Sequence, residues 1–159
     1  MIVAFIVLGA LVLLAALGSA VVVLRRRVAI ATVAGPSMQP TLQTGERVLV
    51  RRAALTSLRP GQIVVIERPE VDGTWSAGPP DWPGSGREWL IKRLAAVPGD
   101  PCPEGVAAIS GAGRRVVPAG QLAVLGDNAA RSLDSRSFGY IPAERLLGVM
   151  LRPLRSHQH

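Results

Sequence analysis

Lys92 is the residue of this chain whose side-chain type is most informative about chemistry. Every other one of the 18 basic residues is an arginine, and a guanidinium keeps its proton in proteins, whereas a buried ammonium group can lose it. Leu90 and Leu94 flank Lys92 two positions away, so a strand here places all three side chains on one face. Burial among leucines lowers the pKa of a lysine and favours a general base. The alternative is a lysine that extends along an edge strand into solvent.

Ser37 is the hydroxyl that such a base would activate. A proline fixes φ and a glycine-proline pair marks a turn, and the neighbours of the serine are Gly35, Pro36, Met38 and Pro40. A rigid turn is a suitable platform for a nucleophile, and the N–H of the serine itself can donate to a developing oxyanion. The alternative is an ordinary turn serine with no role in chemistry.

Composition argues against several other kinds of site. The only histidines, His157 and His159, lie in the last three residues, which leaves no Ser-His-Asp triad in the folded body and argues against a metal site. Cys102 is the single cysteine, so an internal disulfide is excluded. The net charge of +7 is spread along the chain and aromatic residues make up 4% of it, which argues against nucleic acid as a partner. We expect no cofactor and no metal.

Residues 1–24 contain no charged side chain and predict a transmembrane anchor. A helix of that length rises roughly 36 Å at about 1.5 Å per residue, which exceeds a hydrocarbon core of about 30 Å. A cleavable secretory signal would need a basic start, which Met1-Ile2-Val3 lacks. Arg25, Arg26 and Arg27 follow directly, and we expect them among the anionic headgroups of a lipid bilayer.

The elements that must position the serine and the lysine are predicted to be short strands. Runs of β-branched and alternating apolar residues, bounded by turns such as Pro60-Gly61, indicate them. The predicted strands cover residues 28–33, 46–52, 62–68, 88–97, 115–117, 121–125 and 146–151. Residues 72–87 and 101–113 are rich in turn-forming residues and are expected to be surface excursions. No amphipathic helix follows the anchor, so we predict an all-β domain over residues 28–159 behind one transmembrane helix.

Three segments of the chain carry distinctive short motifs. Residues 35–42 read Gly-Pro-Ser-Met-Gln-Pro-Thr-Leu, and residues 91–100 read Ile-Lys-Arg-Leu-Ala-Ala-Val-Pro-Gly-Asp. Residues 126–136 read Gly-Asp-Asn-Ala-Ala-Arg-Ser-Leu-Asp-Ser-Arg. In this order they resemble the nucleophile box, the lysine box and the closing Gly-Asp-Asn…Ser-x-Asp-Ser-Arg box of type I signal peptidases. The resemblance covers most of residues 37–148.

The resemblance implies a membrane-bound serine endopeptidase with a Ser-Lys dyad, in a signal-peptidase-like domain of short coiled antiparallel sheets. Ser37 would attack the peptide carbonyl and form an acyl-enzyme. Lys92 would accept the serine proton, pass it to the leaving amine and later activate the deacylating water. Many members carry a serine two residues before the nucleophile that helps to hold the oxyanion, and here that residue is Gly35. The oxyanion would then depend on backbone N–H groups, chiefly that of Ser37, or on a water.

The closing box would supply the residues that support the dyad. By resemblance, Ser132 hydrogen-bonds to the lysine amine and orients it, while Asp134 and Arg136 form a structural ion pair that shapes the site. Asp127 and Asn128 are expected to fix the site loop and to take no part in bond making.

The resemblance also implies the substrate and its location. Such enzymes cut exported preproteins after small residues at the first and third positions before the bond, as in Ala-x-Ala, at the bilayer surface. We therefore expect signal peptides as partners, and a monomer with a single span in the cell membrane and its catalytic domain on the extracytoplasmic side. The arginine triplet conflicts with that orientation, because arginines beside a first span tend to remain cytoplasmic.

Three alternatives stay open at this point. A dedicated peptidase of the same fold, which matures a pilin, a conjugation protein or a secreted peptide, fits the same boxes. An inactive membrane-anchored homologue that acts as a binding protein is favoured only by Gly35, since Ser37, Lys92 and Ser132 are all present. Self-cleaving repressors of the LexA type share Ser-Lys chemistry but lack both the anchor and the closing box.

Overall fold

The computed structural model describes residues 9, 11–19, 27–70, 73–78, 86–106 and 116–154. Most of the predicted anchor, residues 1–24, lies outside the described residues, as do two of the three arginines that follow it. Residues 11–19 are helical, and their exposed apolar side chains include Leu11, Leu14 and Leu17. Among the described residues, no helix has the length and apolar character needed to cross a membrane.

The body of the chain is an antiparallel sheet, as the sequence predicts. Its strands are β1 Val28–Thr32, β2 Arg47–Arg51, β3 Ile63–Glu67, β4 Trp89–Ala96, β5 Gln121–Leu125, β6 Ile141–Pro142 and β7 Leu146–Leu154. In space they lie in the order β1-β2-β7-β3-β4-β5-β6. All the predicted strands except residues 115–117 are confirmed, with small differences at their ends.

Three local elements differ from the sequence prediction. In the predicted strand at residues 115–117, the described Val116 forms only an isolated bridge with Pro101. β6 has two residues, which is too short to produce a recognisable alternation. A single-turn helix, α1 Ser135–Phe138, begins after Asp134, whose side chain accepts a hydrogen bond from the Arg136 N–H at 3.1 Å. Such a helix depends on its cap because it is too short to be stable from propensity alone.

The strand β3 lies at the centre of the sheet and is buried on both faces. Its odd-numbered and even-numbered apolar residues therefore belong to different clusters, since successive side chains point to opposite faces. One cluster contains Val33, Met38, Leu42, Val48, Val50, Ile63, Val65, Ile91 and Leu147. The other contains Leu58, Val64, Ile66, Leu94, Leu122, Val124, Ile141 and Val149. Both clusters include side chains that neighbour Ser37 or Lys92 in sequence, so the core fixes the backbone at these two residues.

The excursion between β3 and β4 is tied to the sheet through Glu67. This carboxylate is 1% exposed and accepts hydrogen bonds from Arg87 at 3.0 Å and Arg145 at 3.1 Å. Arg145 also donates to the carbonyl oxygens of Ser76 and Gly78 and lies over the ring of Trp75. The described part of the segment between β3 and β4 is therefore held against the sheet by a buried cluster of charged side chains.

Candidate active site

Ser37 lies on a turn that is anchored in the core directly after β1. Met38 and Leu42 are buried with 1% and 2% exposure, and the Leu42 N–H donates to the Met38 carbonyl. The carbonyl oxygen of Ser37 accepts a hydrogen bond from the Asn128 N–H at 2.9 Å. The turn that carries Ser37 is thus held by apolar packing of Met38 and Leu42 and by a hydrogen bond from the loop that follows β5.

Lys92 reaches Ser37 from β4, in the middle of the sheet. Its side chain is 2% exposed, which confirms the burial predicted from the flanking leucines. Lys92 Nζ lies 2.7 Å from Ser37 Oγ. Burial lowers the pKa of Lys92 below 10.5, the charge of Asp134 raises it, and the charge of Arg136 lowers it. An amine with a lowered pKa at hydrogen-bond distance from a hydroxyl has the geometry and the basicity of a nucleophile–base pair.

Asp134 is fully buried beside the dyad and pairs with Arg136 at 2.6 Å, as the resemblance implied. Burial alone would raise the pKa of Asp134, but hydrogen bonds from the Arg136 side chain and from the Gly126 N–H hold this pKa at about 2. The carboxylate is therefore ionised at neutral pH. It fixes Gly126 and the closing segment, and its charge acts on Lys92 without direct contact.

Ser132 does not make the hydrogen bond to Lys92 that the resemblance implied. Its Oγ atom is buried and has no hydrogen-bond partner among the described residues. It lies near enough to Asp134 to help lower the pKa of that carboxyl, but the geometry falls short of a hydrogen bond. Whether the residue orients the lysine stays a prediction.

Gly126 allows the closing segment to pack closely against the turn that carries Ser37. A Cβ atom here would overlap Ser132 Oγ and would lie 2.7 Å from the Ser37 carbonyl oxygen. Since real Cβ atoms do not approach so closely, the residue must be glycine for the closing segment to pack against the nucleophile turn. This glycine begins the closing box, but its close packing was not predicted from the sequence.

A second polar network links the segments of the three boxes on one side of the dyad. Asp127 receives two hydrogen bonds from the Arg93 guanidinium, at 2.8 and 2.6 Å, and one from the Thr41 hydroxyl. The hydrogen bonds from Arg93 lower the pKa of Asp127 and raise that of Arg93. Asp127 was expected to fix the loop, but its partners were not identified. Arg93 directly follows Lys92, and Thr41 lies four residues after Ser37. These positions were the available sequence signal for the two partners of Asp127.

The backbone before the nucleophile adopts a conformation that suits glycine. Gly35 has a φ of +81°, in the left-handed region, and a Cβ atom added to it would meet nothing within 4 Å. A serine here would fit sterically but would carry the backbone strain of that conformation. Gly35 therefore matches the local path of the turn, and no side-chain hydroxyl is present at this position to assist an oxyanion.

A small pocket of about 30 Å³ opens beside the dyad. It is lined by residues of two stretches of the chain, namely Thr32, Val33, Ala34, Ser37 and Met38 from the first and Trp89, Leu90, Ile91 and Lys92 from the second. Its volume allows one or two groups of the size of water, such as a methyl group. The site thus combines a hydroxyl, a buried amine and a small pocket.

Comparison with known proteins identifies the family. The family model described as signal peptidase, peptidase S26, matches residues 4–103 and 104–154. The chain belongs to the signal peptidase family. Two curated proteins related to this chain carry names of the same kind. The mitochondrial inner membrane protease subunit 1 of Schizosaccharomyces pombe is 32% identical over 129 residues, which cover 79% of this chain and 72% of that protein.

A second relative of this signal peptidase is the probable signal peptidase I-2 of Synechocystis. It is 29% identical over 131 residues, which cover 70% of this chain and 56% of the relative. The resemblance inferred from the three boxes is therefore confirmed at the level of the family, and the chain is a hydrolase of the signal peptidase I type.

Proposed function

We propose that this signal peptidase is a membrane-anchored serine endopeptidase that removes N-terminal signal peptides from exported preproteins, with Ser37 as nucleophile and Lys92 as general base. The observation that carries the proposal is the 2.7 Å separation of Lys92 Nζ and Ser37 Oγ. It is supported by the burial of the lysine, which favours the neutral amine that a base needs.

Catalysis begins when the neutral amine of Lys92 accepts the proton of Ser37 Oγ as this oxygen attacks the carbonyl carbon of the scissile bond. The N–H of Ser37 donates to the resulting oxyanion. When the tetrahedral intermediate collapses, the ammonium returns its proton to the leaving amine and an acyl-enzyme remains. The amine then removes a proton from a water molecule, which attacks the ester carbon. The bond between this carbon and Ser37 Oγ breaks, the ammonium returns its proton to Ser37 Oγ, and the signal peptide leaves with a free C-terminal carboxyl group.

The remaining residues of the site hold this pair in place. Asp134 and Arg136 form the ion pair that fixes the closing segment. Ser132 orients the amine in this proposal, although its buried Oγ forms no hydrogen bond among the described residues. Asp127 and Asn128 hold the loop, the first through Arg93 and the second through the carbonyl of Ser37. None of these groups exchanges a proton with the substrate.

The substrate class that the family resemblance implies is supported by the size of the pocket. A space of about 30 Å³ beside Ser37 admits a methyl side chain and excludes larger ones. Cleavage after Ala-x-Ala satisfies this limit, and the relative in Synechocystis is named as a probable signal peptidase. A dedicated peptidase that matures one exported protein would share the same limit and differ only in its range of substrates.

Residues 1–24 form the membrane anchor in this proposal, and residues 28–159 form the catalytic domain outside the cytoplasm. The described helical residues 11–19 carry exposed leucine and valine side chains, which a bilayer would cover. The relative in Schizosaccharomyces pombe is named as a protease of an inner membrane. That relative is also named as a subunit of a protease. We propose a monomer for this chain, and an assembly with a further subunit is the alternative.

The proposal is tested with a purified full-length protein in detergent micelles and a test preprotein that contains one Ala-x-Ala site. We expect wild type to cleave after the second alanine and Ser37→Ala to show no cleavage. Ser57→Ala, which removes an exposed hydroxyl of a 3-10 turn, is the matched control and should cleave like wild type. Cleavage by Ser37→Ala would exclude Ser37 as nucleophile, and absence of cleavage by wild type would favour a dedicated substrate or an inactive homologue.

A further inference from the structure

We propose that the outer face of the first two strands docks on anionic phospholipid headgroups and so attaches the catalytic domain to the bilayer a second time. This outer face consists of Val28 and Ile30 on β1 and of Arg47, Leu49 and Arg51 on β2. The docking rests on the proposed function, because it takes the N-terminal apolar segment as a membrane anchor. It adds an attachment that is selective for lipid charge, which an apolar anchor does not supply.

Strand pairing places these five side chains on one side of the sheet. In the register of β1 and β2, Val28 lies opposite Arg51 and Ile30 lies opposite Leu49. Opposed residues of an antiparallel pair share a face, and so do residues two positions apart on one strand, which adds Arg47. The residues that alternate with them point to the other side and are buried in the core, namely Ala29, Val48 and Val50.

The outer face is exposed and amphipathic. Ile30 is 46% exposed, and the half-buried Leu49 beside it has an exposed arginine two positions away in each direction, Arg47 and Arg51. The two arginines lie four residues apart on the strand, about 13 Å, so they face separate headgroups of a continuous surface. Guanidinium groups bind phosphate oxygens, while apolar side chains between them can enter the boundary of the acyl chains.

The two arginines of the outer face form no ion pair with an acidic side chain in the part of the chain that the structure describes. Arginines elsewhere do so, as in the pairs of Arg93 with Asp127 and of Arg136 with Asp134. Moreover, the strands β1, β2 and β7, which form this end of the sheet, contain no acidic residue. The outer face therefore presents positive charge that the protein itself does not neutralise, and it complements an anionic surface.

The place of the outer face in the chain identifies this surface as a bilayer. The predicted anchor ends at Leu24 and β1 begins at Val28, a span of at most about 14 Å at roughly 3.5 Å per residue. Next to the start of β1, the Arg52 N–H donates to the carbonyl oxygen of Arg27 at 2.9 Å, so β2 is fixed at the same level. Both strands are thus within reach of the headgroups, where a juxtamembrane arginine is stabilised.

Docking of the outer face also brings the active site to the lipid surface. Thr32 follows on the same face of β1, opposite Arg47, and it lines the pocket beside Ser37. In the proposed function a signal peptide is embedded in the bilayer before it is cleaved. A catalytic domain held by both the anchor and the outer face therefore meets its substrate more often than one held by the anchor alone.

The experiment places the full-length protein in vesicles of phosphatidylcholine alone or of phosphatidylcholine and phosphatidylglycerol in equal amounts. Docking is measured as the quenching of a fluorophore on Thr32→Cys, in a Cys102→Ser background, by nitroxide-labelled phosphatidylcholine. Cleavage of a test preprotein with one Ala-x-Ala site is measured separately with unlabelled protein. We expect stronger quenching and faster cleavage in the anionic vesicles, and high salt should remove both gains.

The double variant Arg47→Gln with Arg51→Gln should lose these gains. An arginine near an anionic surface contributes a factor of roughly 5, so the docking equilibrium constant should fall about 25-fold. The matched control is Arg59→Gln with Arg68→Gln, which removes the same charge from exposed positions before and after β3. The control should keep the response to phosphatidylglycerol.

Equal quenching in wild type and in the Arg47 and Arg51 variant would overturn the inference, and so would an equal loss in the control. Dimers of wild type in phosphatidylcholine vesicles that this variant abolishes would assign the face to a second copy of the chain and would also overturn it. Quenching that responds to phosphatidylglycerol, without any cleavage of the preprotein by wild type, would instead support docking and overturn the proposed function. The two failures are therefore distinct.

Discussion

Lys92 Nζ and Ser37 Oγ lie 2.7 Å apart although 55 positions separate the two residues in the chain. The serine is held by a turn whose Met38 is buried in the core, and the lysine comes from the central strand β4. The contact is therefore made between two independently fixed elements. This is the arrangement that a preorganised nucleophile and base require.

Replacement of Lys92 by arginine should abolish cleavage. The variant keeps a positive charge, but a guanidinium does not release its proton and therefore cannot accept that of Ser37. We expect kcat/KM to fall by at least about 100-fold, the scale of losing a general base. Arg152→Lys, an exchange of the same two residue types at an exposed position near the end of β7, is the control and should retain most activity. Single-turnover cleavage measures the effect, and wild-type rates in Lys92→Arg would rule out the lysine as base.

The rate of cleavage should increase with pH until the amine of Lys92 is fully neutral. Its pKa is lowered by burial, so the midpoint should lie below the ordinary value of 10.5. Between the lowered pKa and 10.5 the unfolded chain binds more protons at this residue than the folded chain does, so stability from this group also increases with pH there. A pH–rate profile of kcat/KM measures the midpoint. A midpoint at or above 10.5 would contradict the prediction.

Replacement of Asp134 by asparagine should both destabilise the fold and shift the pH–rate profile. The pKa of Asp134 is about 2 in the fold and 3.8 otherwise, so its charge contributes about 2 kcal/mol that is present above pH 3.8 and lost as pH falls toward 2. Because the same charge raises the pKa of Lys92, its removal should move the rate midpoint to lower pH.

Denaturant unfolding at pH 7 and pH 2 measures the first effect of the Asp134 exchange, and a pH–rate profile measures the second. The exposed Glu104 provides a matched control, since Glu104→Gln removes one acidic charge from the surface. An Asp134→Asn variant with wild-type stability at pH 7 and an unshifted midpoint would show that its ion pair with Arg136 has little influence on the site.

Replacement of Ser132 by alanine should reduce activity without reducing stability. The hydroxyl is buried and has no hydrogen-bond partner among the described residues, so its loss removes a desolvated polar group and leaves no other group unpaired. We expect an unchanged or higher melting temperature together with a loss of roughly 10-fold or more in kcat, if the hydroxyl orients the amine during the reaction. The exposed Ser137→Ala is the control. Full activity in Ser132→Ala would show that Ser132 has no role in catalysis.

The network of Thr41, Arg93 and Asp127 should support activity through the position of the nucleophile turn. Asp127→Ala removes the charged partner of both other residues, whereas Thr41→Val removes a hydroxyl that donates to Asp127 and accepts a longer hydrogen bond, at 3.4 Å, from Arg93. We therefore expect Asp127→Ala to lower kcat/KM and the unfolding free energy more than Thr41→Val does, the latter by about 1 kcal/mol. Thr56→Val, at an exposed turn, should change neither. Equal effects of Asp127→Ala and Thr41→Val would contradict this ordering.

Much of the fold and part of the site could be predicted from local sequence. Alternation of apolar residues indicated β1 to β5 and β7, because side chains of a strand point to opposite faces. The burial of Lys92 followed from Leu90 and Leu94 for the same reason, and the structure confirms it. The chain has one lysine, and its only histidines lie in the last three residues. Composition alone therefore left Lys92 as the single candidate for a general base.

The contacts that make these residues into a site were decided by the tertiary structure. Glu67 lies in an apolar strand with no sequence sign that Arg87 and Arg145 would neutralise it. Gly126 gave no sign that it would pack against Ser132 and the Ser37 carbonyl, and Ser132 itself does not form its expected hydrogen bond. Residue types and local periodicity thus determined which groups are present and which face of a strand they occupy. Distances between groups far apart in the chain depend on how strands pair and pack, which no local pattern specifies.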